Sequence, residues 1–336
     1  MVKTITPGRR SGSVVVPSSK SIAHRELIAA ALSGSEPPTI RGESRDTLAT
    51  RNCLRAMMTG ESLWPCGESG TTLRLLEPIA GVKGWHGEFK CEGRLGERPR
   101  MPFERKDRYV IPGNISSQFV SGLLMALPMA DWDSEIVIDG ELQSEGYVRL
   151  TEDTLKDSGI DVYRTDDGWR IPGNQVYHFV GGREVEGDWS QAAFFLAMGV
   201  EVTGLRADSH QGDRAVVELI ERIDAAAETP IDISQTPDLY PVLAAYAAAK
   251  GVKAEFCGTE RLRLKESDRI ASTAAMIEAV SAGRPVDTFG DHRIAMSAAV
   301  MACYSRVPVV VEGAECVAKS YPSFWEDFEA LERAAI

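Results

Sequence analysis

The stretch VVVPSSKSIAHRELIAAAL, residues 14–32, joins a β-branched run to an alanine-rich helix. Pro17 with Ser18 or Ser19 supplies the stop and cap, and Lys20, Ser21, His24 and Arg25 follow at the helix mouth. Ser21 and Arg25, four apart, share one face, and Ala23, Leu27, Ala30 and Ala31 read as the opposite, buried stripe. Free N–H groups and the helix dipole favour an anion at such an end. A lysine and an arginine there make sense if that anion is a ligand. The same residues also fit a capped surface helix with solvated charges.

Working outward, the unit of short strand, polar turn and alanine- or leucine-rich helix recurs. Its later copies begin near ESGTTLRLLEP (68), SSQFVSGLLMALP (116), GDWSQAAFFLAMG (187), TPDLYPVLAAYAAAKG (236), KESDRIASTAAMIEAV (265) and GDHRIAMSAAVMACY (290). Strands are expected over 134–140, 253–258 and 308–314, each ending in glycine or just beyond one. Strand-like pieces IDVYR, GWRIP and VYHFVGG fill residues 157–186, so a domain junction is expected near 187. Alternating strands and helices predict an α/β or α+β architecture.

The 336 residues, 43% of them hydrophobic, suffice for two domains with a core each. A net charge of −12 without a dense basic stripe argues against a nucleic-acid partner. No stretch approaches the 18 or more apolar residues of a spanning helix, so no membrane partner is expected. Six scattered cysteines without a C-x-x-C pair fit reduced thiols in a cytoplasm. The five histidines never fall at ligand spacing, and neither a P-loop nor G-x-G-x-x-G is present; no metal, ATP or dinucleotide cofactor is implied.

Against that negative charge, cations return at helix and loop mouths: Arg74, Arg98, Lys265, Arg269, Arg293 and Lys319. Together they suggest small substrates carrying several negative charges, since arginine forks and lysine point charges grip carboxylate and phosphate. Carboxylates are interleaved with them. Asp238 and Glu266 are candidates for acid–base work, whereas Asp268 and Asp291 read better as helix caps or ion-pair partners. His292 is a candidate proton relay that also fits a hydrogen-bonded structural histidine.

In chain order SSKSIAHR, ESGTTLR, ERP, SSQF, EGD, PDLYP, LKESDR, GDHRIAM and AKSYPSF resemble the signature segments of the 5-enolpyruvylshikimate-3-phosphate synthase family, from residue 18 to 324. The resemblance implies a two-domain inside-out α/β barrel of repeated βαβαββ-type units. It implies a discontinuous first domain, 1–18 plus 187–336, a second domain, 19–186, inserted in it, and a substrate cleft between them. It implies transfer of the enolpyruvyl group of phosphoenolpyruvate to the 5-hydroxyl of shikimate 3-phosphate by addition and elimination. A cytoplasmic monomer without cofactor is expected.

By the same resemblance, Ser21, Arg25, Ser116, Ser117, Gln118, Ser144, Asp238 and Lys265 hold shikimate 3-phosphate. Lys20, Gly70, Arg98, Gln118, Arg269, Arg293 and Lys319 hold phosphoenolpyruvate. Asp238 is the base expected near the 5-hydroxyl. Glu266, with Lys20 or Lys319, is expected to move protons at C3 and at the leaving phosphate, with His292 in support. Gly70 keeps the small floor of glyphosate-sensitive members, and His24 is left as a surface or packing residue.

The chain also departs from the family. Only 17 residues separate Arg98 from Ser116, and the intervals Arg25–Glu68 and Arg269–Asp291 are short, so some repeat units are expected to be truncated. Related UDP-N-acetylglucosamine enolpyruvyl transferases usually carry a reactive loop cysteine, for which Cys91 stands in the corresponding region. That activity, or a binding-only relic of the fold, remains the alternative.

Overall fold

The structure, a computed structural model, describes residues 1–227 and 229–334. Glu228 and residues 335–336, which fall within the first domain expected above, lie outside the described residues. The chain divides into two compact units: residues 1–19, 42–44 and 186–336 form one, residues 20–41 and 45–185 the other.

The second of these contains α1 (Lys20–Ser33), α2 (Arg45–Met58), α3 (Gly70–Lys83), α4 (Ser117–Ala126) and α5 (Glu145–Asp157). Burial is not confined to a stripe on α1: Ala23 through Ala30 are all buried. In α4 burial runs unbroken from Phe119 to Ala126. Helices buried on every side belong in the middle of a fold. α5 differs, turning Val148, Thr151 and Leu155 inward while its charged Arg149 and Lys156 face out.

Around these helices lie strands with one face buried. A four-stranded sheet takes the order 108–112, 134–139, 168–171, 163–164, its first pair parallel and the others antiparallel. In Arg108–Pro112 only Tyr109 and Ile111 turn inward, the two-residue alternation of a sheet with a single covered face. This layering of helices inside and strands outside is the inside-out arrangement.

The first unit repeats it with α6 (Trp189–Met198), α7 (Val216–Asp224), α8 (Tyr240–Lys250), α9 (Arg269–Ser281), α10 (His292–Ala302) and α11 (Phe324–Ala330). All of α10 is buried, and its alanines and serine let neighbouring helices approach. A three-stranded sheet places Val309–Glu312 between Val2–Ile5 and Val286–Asp287. Phe324 anchors the base of the core, its ring 5.5 Å from Phe195 and 5.6 Å from Tyr321. Burial of one such side chain contributes roughly 1.5–3 kcal/mol.

Two local expectations change, and one helix passes through a proline. Pro78 lies inside α3, which continues to Lys83 and stops at Gly84 in the left-handed conformation. The missing Pro78 N–H frees the Arg74 carbonyl, against which α4 packs so closely that a Cβ on Gly122 would lie 2.2 Å from that oxygen. VYHFVGG forms no ladder; Tyr177 and Phe179 point into the core, and Gly181 abuts the Glu36 backbone. The strand expected over 253–258 shrinks to Phe256–Cys257.

Candidate active site

In the unit containing α1, Lys20 opens the helix and pairs with Asp46 at 2.9 Å, the acid lying in the first turn of α2. Ser21 follows, its carbonyl accepting from Arg25 Nη1 at 2.6 Å. Ser19 does not cap the helix: its buried hydroxyl has no partner among the described residues. Arg25 is fully buried, and its guanidinium donates to Thr151 Oγ1, Ser121 Oγ and the Tyr147 carbonyl as well. All these acceptors are neutral. Burial lowers its pKa to about 10, the sign of a cation charged at a cost and attractive to an anion.

The other helix mouths of this unit carry the remaining expected residues. Ser69 caps α3 and Gly70 is its first residue. A Cβ on Gly70 would stand 3.3 Å from both Arg74 Nη1 and Arg98 Nη1, so the missing side chain lets two guanidinium groups approach the helix mouth. Gln118 accepts from Arg74 at 2.6 Å and donates to Thr71 Oγ1 at 2.9 Å. Ser116 caps α4, and Ser117 is buried behind it. Ser144, before α5, is a buried non-glycine residue in the left-handed region, φ 58°. Such a conformation costs of order 1–3 kcal/mol and concentrates at functional sites.

In the first unit, charges gather on Arg269. Fully buried, it meets Asp238 and Glu266 at 2.7 Å each and Asp291 at 2.9 Å. Burial alone would lower its pKa; the three carboxylates raise it. Asp238 also receives Lys265 at 3.2 Å and Arg293 at 3.3 Å. Burial lowers the Lys265 pKa. Lys319 lies 3.9 Å from Glu266, so of the two lysines weighed as its companions the unit itself supplies Lys319. Asp268 and Asp291 cap α9 and α10. His292 is buried, its Nδ1 3.8 Å from Asp291, beyond hydrogen-bonding distance.

Sequence reasoning passed over Asp46, Ser190 and Asp213. Ser190 accepts from Arg293 Nη2 at 2.6 Å. Asp213 is wholly buried, its pKa raised to about 6 by burial and then by Asp238. A signal existed for the last of these: Gly-Asp recurs at 187–188, 212–213 and 290–291, and two of the three aspartates cap a helix. Cys91 lacks the profile of a reactive thiol, since burial and then Cys66 raise it to about 11. His24, left open as a surface or packing residue, is entirely buried.

Comparison with known proteins matches the chain to one family. Its model, described as EPSP synthase (3-phosphoshikimate 1-carboxyvinyltransferase), matches residues 5–103 and 100–328. The break falls in the shortened interval between Arg98 and Ser116. A 3-phosphoshikimate 1-carboxyvinyltransferase from Clostridium kluyveri is 36% identical over 415 positions, covering 98% of this chain and 96% of the relative. One from Clostridium perfringens is 33% identical, covering 97% of each. These alignments exceed the 336 residues of the chain, so the relatives carry segments without a counterpart here.

Among solved structures, the EPSP synthase of Acinetobacter baumannii superposes with a TM-score of 0.74 at 21% identity over 97% of both chains. The enolpyruvyl transferase NikO of Streptomyces tendae reaches 0.65 at 14% identity, covering 99% of this chain and 97% of that one. They share the fold. The sequence relatives and the family match carry the classification, and the chain belongs to the EPSP synthase family.

Proposed function

We propose that the protein is a 3-phosphoshikimate 1-carboxyvinyltransferase, transferring the enolpyruvyl group of phosphoenolpyruvate to the 5-hydroxyl of shikimate 3-phosphate and releasing phosphate. The hydroxyl oxygen bonds to C2 of phosphoenolpyruvate while C3 gains a proton. C3 then loses a proton as the C2–O bond to phosphate breaks, restoring the double bond. Both substrates carry a carboxylate and a phosphate, which suits a chain that sets cations at its helix mouths against an overall charge of −12.

The observation that carries this reading is Asp238, which draws Lys265, Arg269 and Arg293 to within 3.3 Å. Those cations are the ones assigned to the substrates. Incoming phosphate and carboxylate oxygens compete for them, which frees Asp238 to take the proton of the 5-hydroxyl. Glu266, beside Lys319 and Arg269, is assigned proton transfer at C3, and Lys319 the leaving phosphate. His292, next to Asp291 in the chain, is assigned a supporting role. Shikimate 3-phosphate is assigned Ser21, Arg25, Ser116, Ser117, Gln118, Ser144, Asp238 and Lys265. Phosphoenolpyruvate is assigned Lys20, Gly70, Arg98, Gln118, Arg269, Arg293 and Lys319.

No helix among the described residues is long and apolar enough to cross a membrane, and the six cysteines are free; we place the protein in the cytoplasm. A coupled phosphate-release assay on the purified chain tests the reaction. Release with phosphoenolpyruvate and shikimate 3-phosphate is expected. Release only with UDP-N-acetylglucosamine, or none with either acceptor, overturns the assignment.

A further inference from the structure

A chain of buried hydroxyls runs from His24 to the mouth of α3. His24 Nδ1 lies 2.6 Å from Thr50 Oγ1, which lies 2.6 Å from Thr72 Oγ1. Thr72 Oγ1 is 2.7 Å from Ser69 Oγ and 3.3 Å from the Asp46 carbonyl, and Ser69 Oγ also accepts from the Thr72 N–H at 3.3 Å. His24, Thr50 and Thr72 are wholly buried and Ser69 nearly so. His24 Nε2 is buried without a partner among the described residues.

Each hydroxyl has one hydrogen to give, so the histidine tautomer sets the direction of the whole chain. With the proton on Nδ1, His24 donates to Thr50, Thr50 to Thr72, and Thr72 to Ser69 at 2.7 Å, the nearer of its two acceptors, the Asp46 carbonyl being 3.3 Å away. The Ser69 hydrogen is then unspent, next to the backbone of Gly70. With the proton on Nε2 the order reverses: Ser69 spends its hydrogen on Thr72, and a buried N–H points at no acceptor. An orphaned buried donor is the rarer arrangement in proteins. Burial above all lowers the His24 pKa to about 3; Asp46 opposes this, and Lys20 and Arg25 add to it. The ring is therefore neutral across the working range.

We propose that His24 is a positioning residue whose Nδ1–H tautomer directs this hydroxyl chain outward, so that the Ser69 hydroxyl joins the helix-mouth donors at Gly70 that serve phosphoenolpyruvate. The inference rests on the assignment of the α3 mouth to phosphoenolpyruvate made above. It links α1, α2 and α3 through polar contacts that a purely apolar interface would not need.

Nitrogen-15 histidine NMR of the whole protein reads the tautomer directly. A protonated Nδ1 and a bare Nε2 for His24 at pH 7 are expected; a protonated Nε2 overturns the proposal. Kinetics supply the second arm. His24→Asn, which keeps a donor near the Nδ1 position, should stay within a few-fold of wild type. His24→Phe should raise the KM for phosphoenolpyruvate roughly tenfold, the scale of one lost hydrogen bond, and leave that for shikimate 3-phosphate within about twofold. Equal rises in both KM values, or no difference between the two variants, overturn it. If His24→Phe does not fold, Thr50→Val breaks the same chain at its middle and is read the same way. Failure of the wild-type protein to release phosphate would instead count against the proposed reaction, while the NMR arm still tests the hydroxyl chain.

Discussion

Asp238 Oδ1 and Arg269 Nη1 meet at 2.7 Å, and Arg269 is itself fully buried, so the carboxylate is tied to the charge centre of its unit. If Asp238 takes the proton of the 5-hydroxyl, its isosteric amide cannot. Asp238→Asn should lose roughly 10²–10⁴-fold in kcat, the usual worth of a general base. Both KM values should change far less, and circular dichroism should match wild type. Near wild-type turnover in a folded variant would remove Asp238 from the chemistry.

Gly70 is the position where one methyl group tests a substrate site. A Cβ there stands 3.3 Å from the Nη1 atoms of Arg74 and Arg98 and 3.6 Å from Leu95 Cδ1. Its neighbours are side-chain ends that can yield by a few tenths of an ångström, so Gly70→Ala should fold. The displaced guanidiniums should raise the KM for phosphoenolpyruvate several-fold. They should weaken glyphosate, expected to compete at the same place, by a larger factor. Steady-state inhibition patterns check both; an unchanged KM with unchanged inhibition would show that the α3 mouth lies outside the substrate site.

The helix mouths were legible because caps and mouths are written locally: Ser, Asp or Gly, then small apolar residues, as at Ser69, Asp188 and Asp291. α2 and α5 lack an alanine-rich run: α2 sets Arg45 and Arg55 outward, and α5 sets Arg149, Lys156 and Asp157 outward. The alternation in VYHFVGG has strand period but no partner strand, and pairing is a tertiary fact. The cations of the site were legible for the same local reason as the caps. Which carboxylate meets which cation was not: Asp46 reaches Lys20 across 26 positions and Asp238 reaches Arg293 across 55. The uniform burial of α1 shows a further limit, since a central helix has no polar face from which to read orientation.

Arg25 separates charge from geometry. Its fork serves Thr151, Ser121 and two backbone carbonyls at once, with no carboxylate among these acceptors. Arg25→Lys keeps the charge but not the fork. The KM for shikimate 3-phosphate should rise at least about tenfold, the loss of one charge-assisted hydrogen bond or more, with that for phosphoenolpyruvate little changed. Thermal denaturation with added shikimate 3-phosphate offers an independent check, because a ligand stabilises in proportion to its affinity. A variant that shikimate 3-phosphate stabilises as fully as wild type would place the ligand elsewhere.

Asp213 gives the protein a pH dependence opposite to that of an ordinary surface carboxylate. Burial, and then the charge of Asp238, raise its pKa from 3.8 to about 6 in the folded state. The native state thus holds this proton more tightly than the unfolded chain does. The stabilisation is complete below about pH 4, where both states are protonated, and is lost as pH rises through 6. At 1.36 kcal/mol per unit, the cost of ionising the site at pH 8 is about 3 kcal/mol. Asp213→Asn cannot ionise. Relative to wild type its stability should therefore climb between pH 4 and pH 8 by an amount of that order, most steeply near pH 5, midway between the unfolded and folded values. Urea denaturation of both proteins at pH 4, 6 and 8 measures the difference. Parallel stability curves would mean that Asp213 is ionised throughout, with Arg293 offsetting its burial.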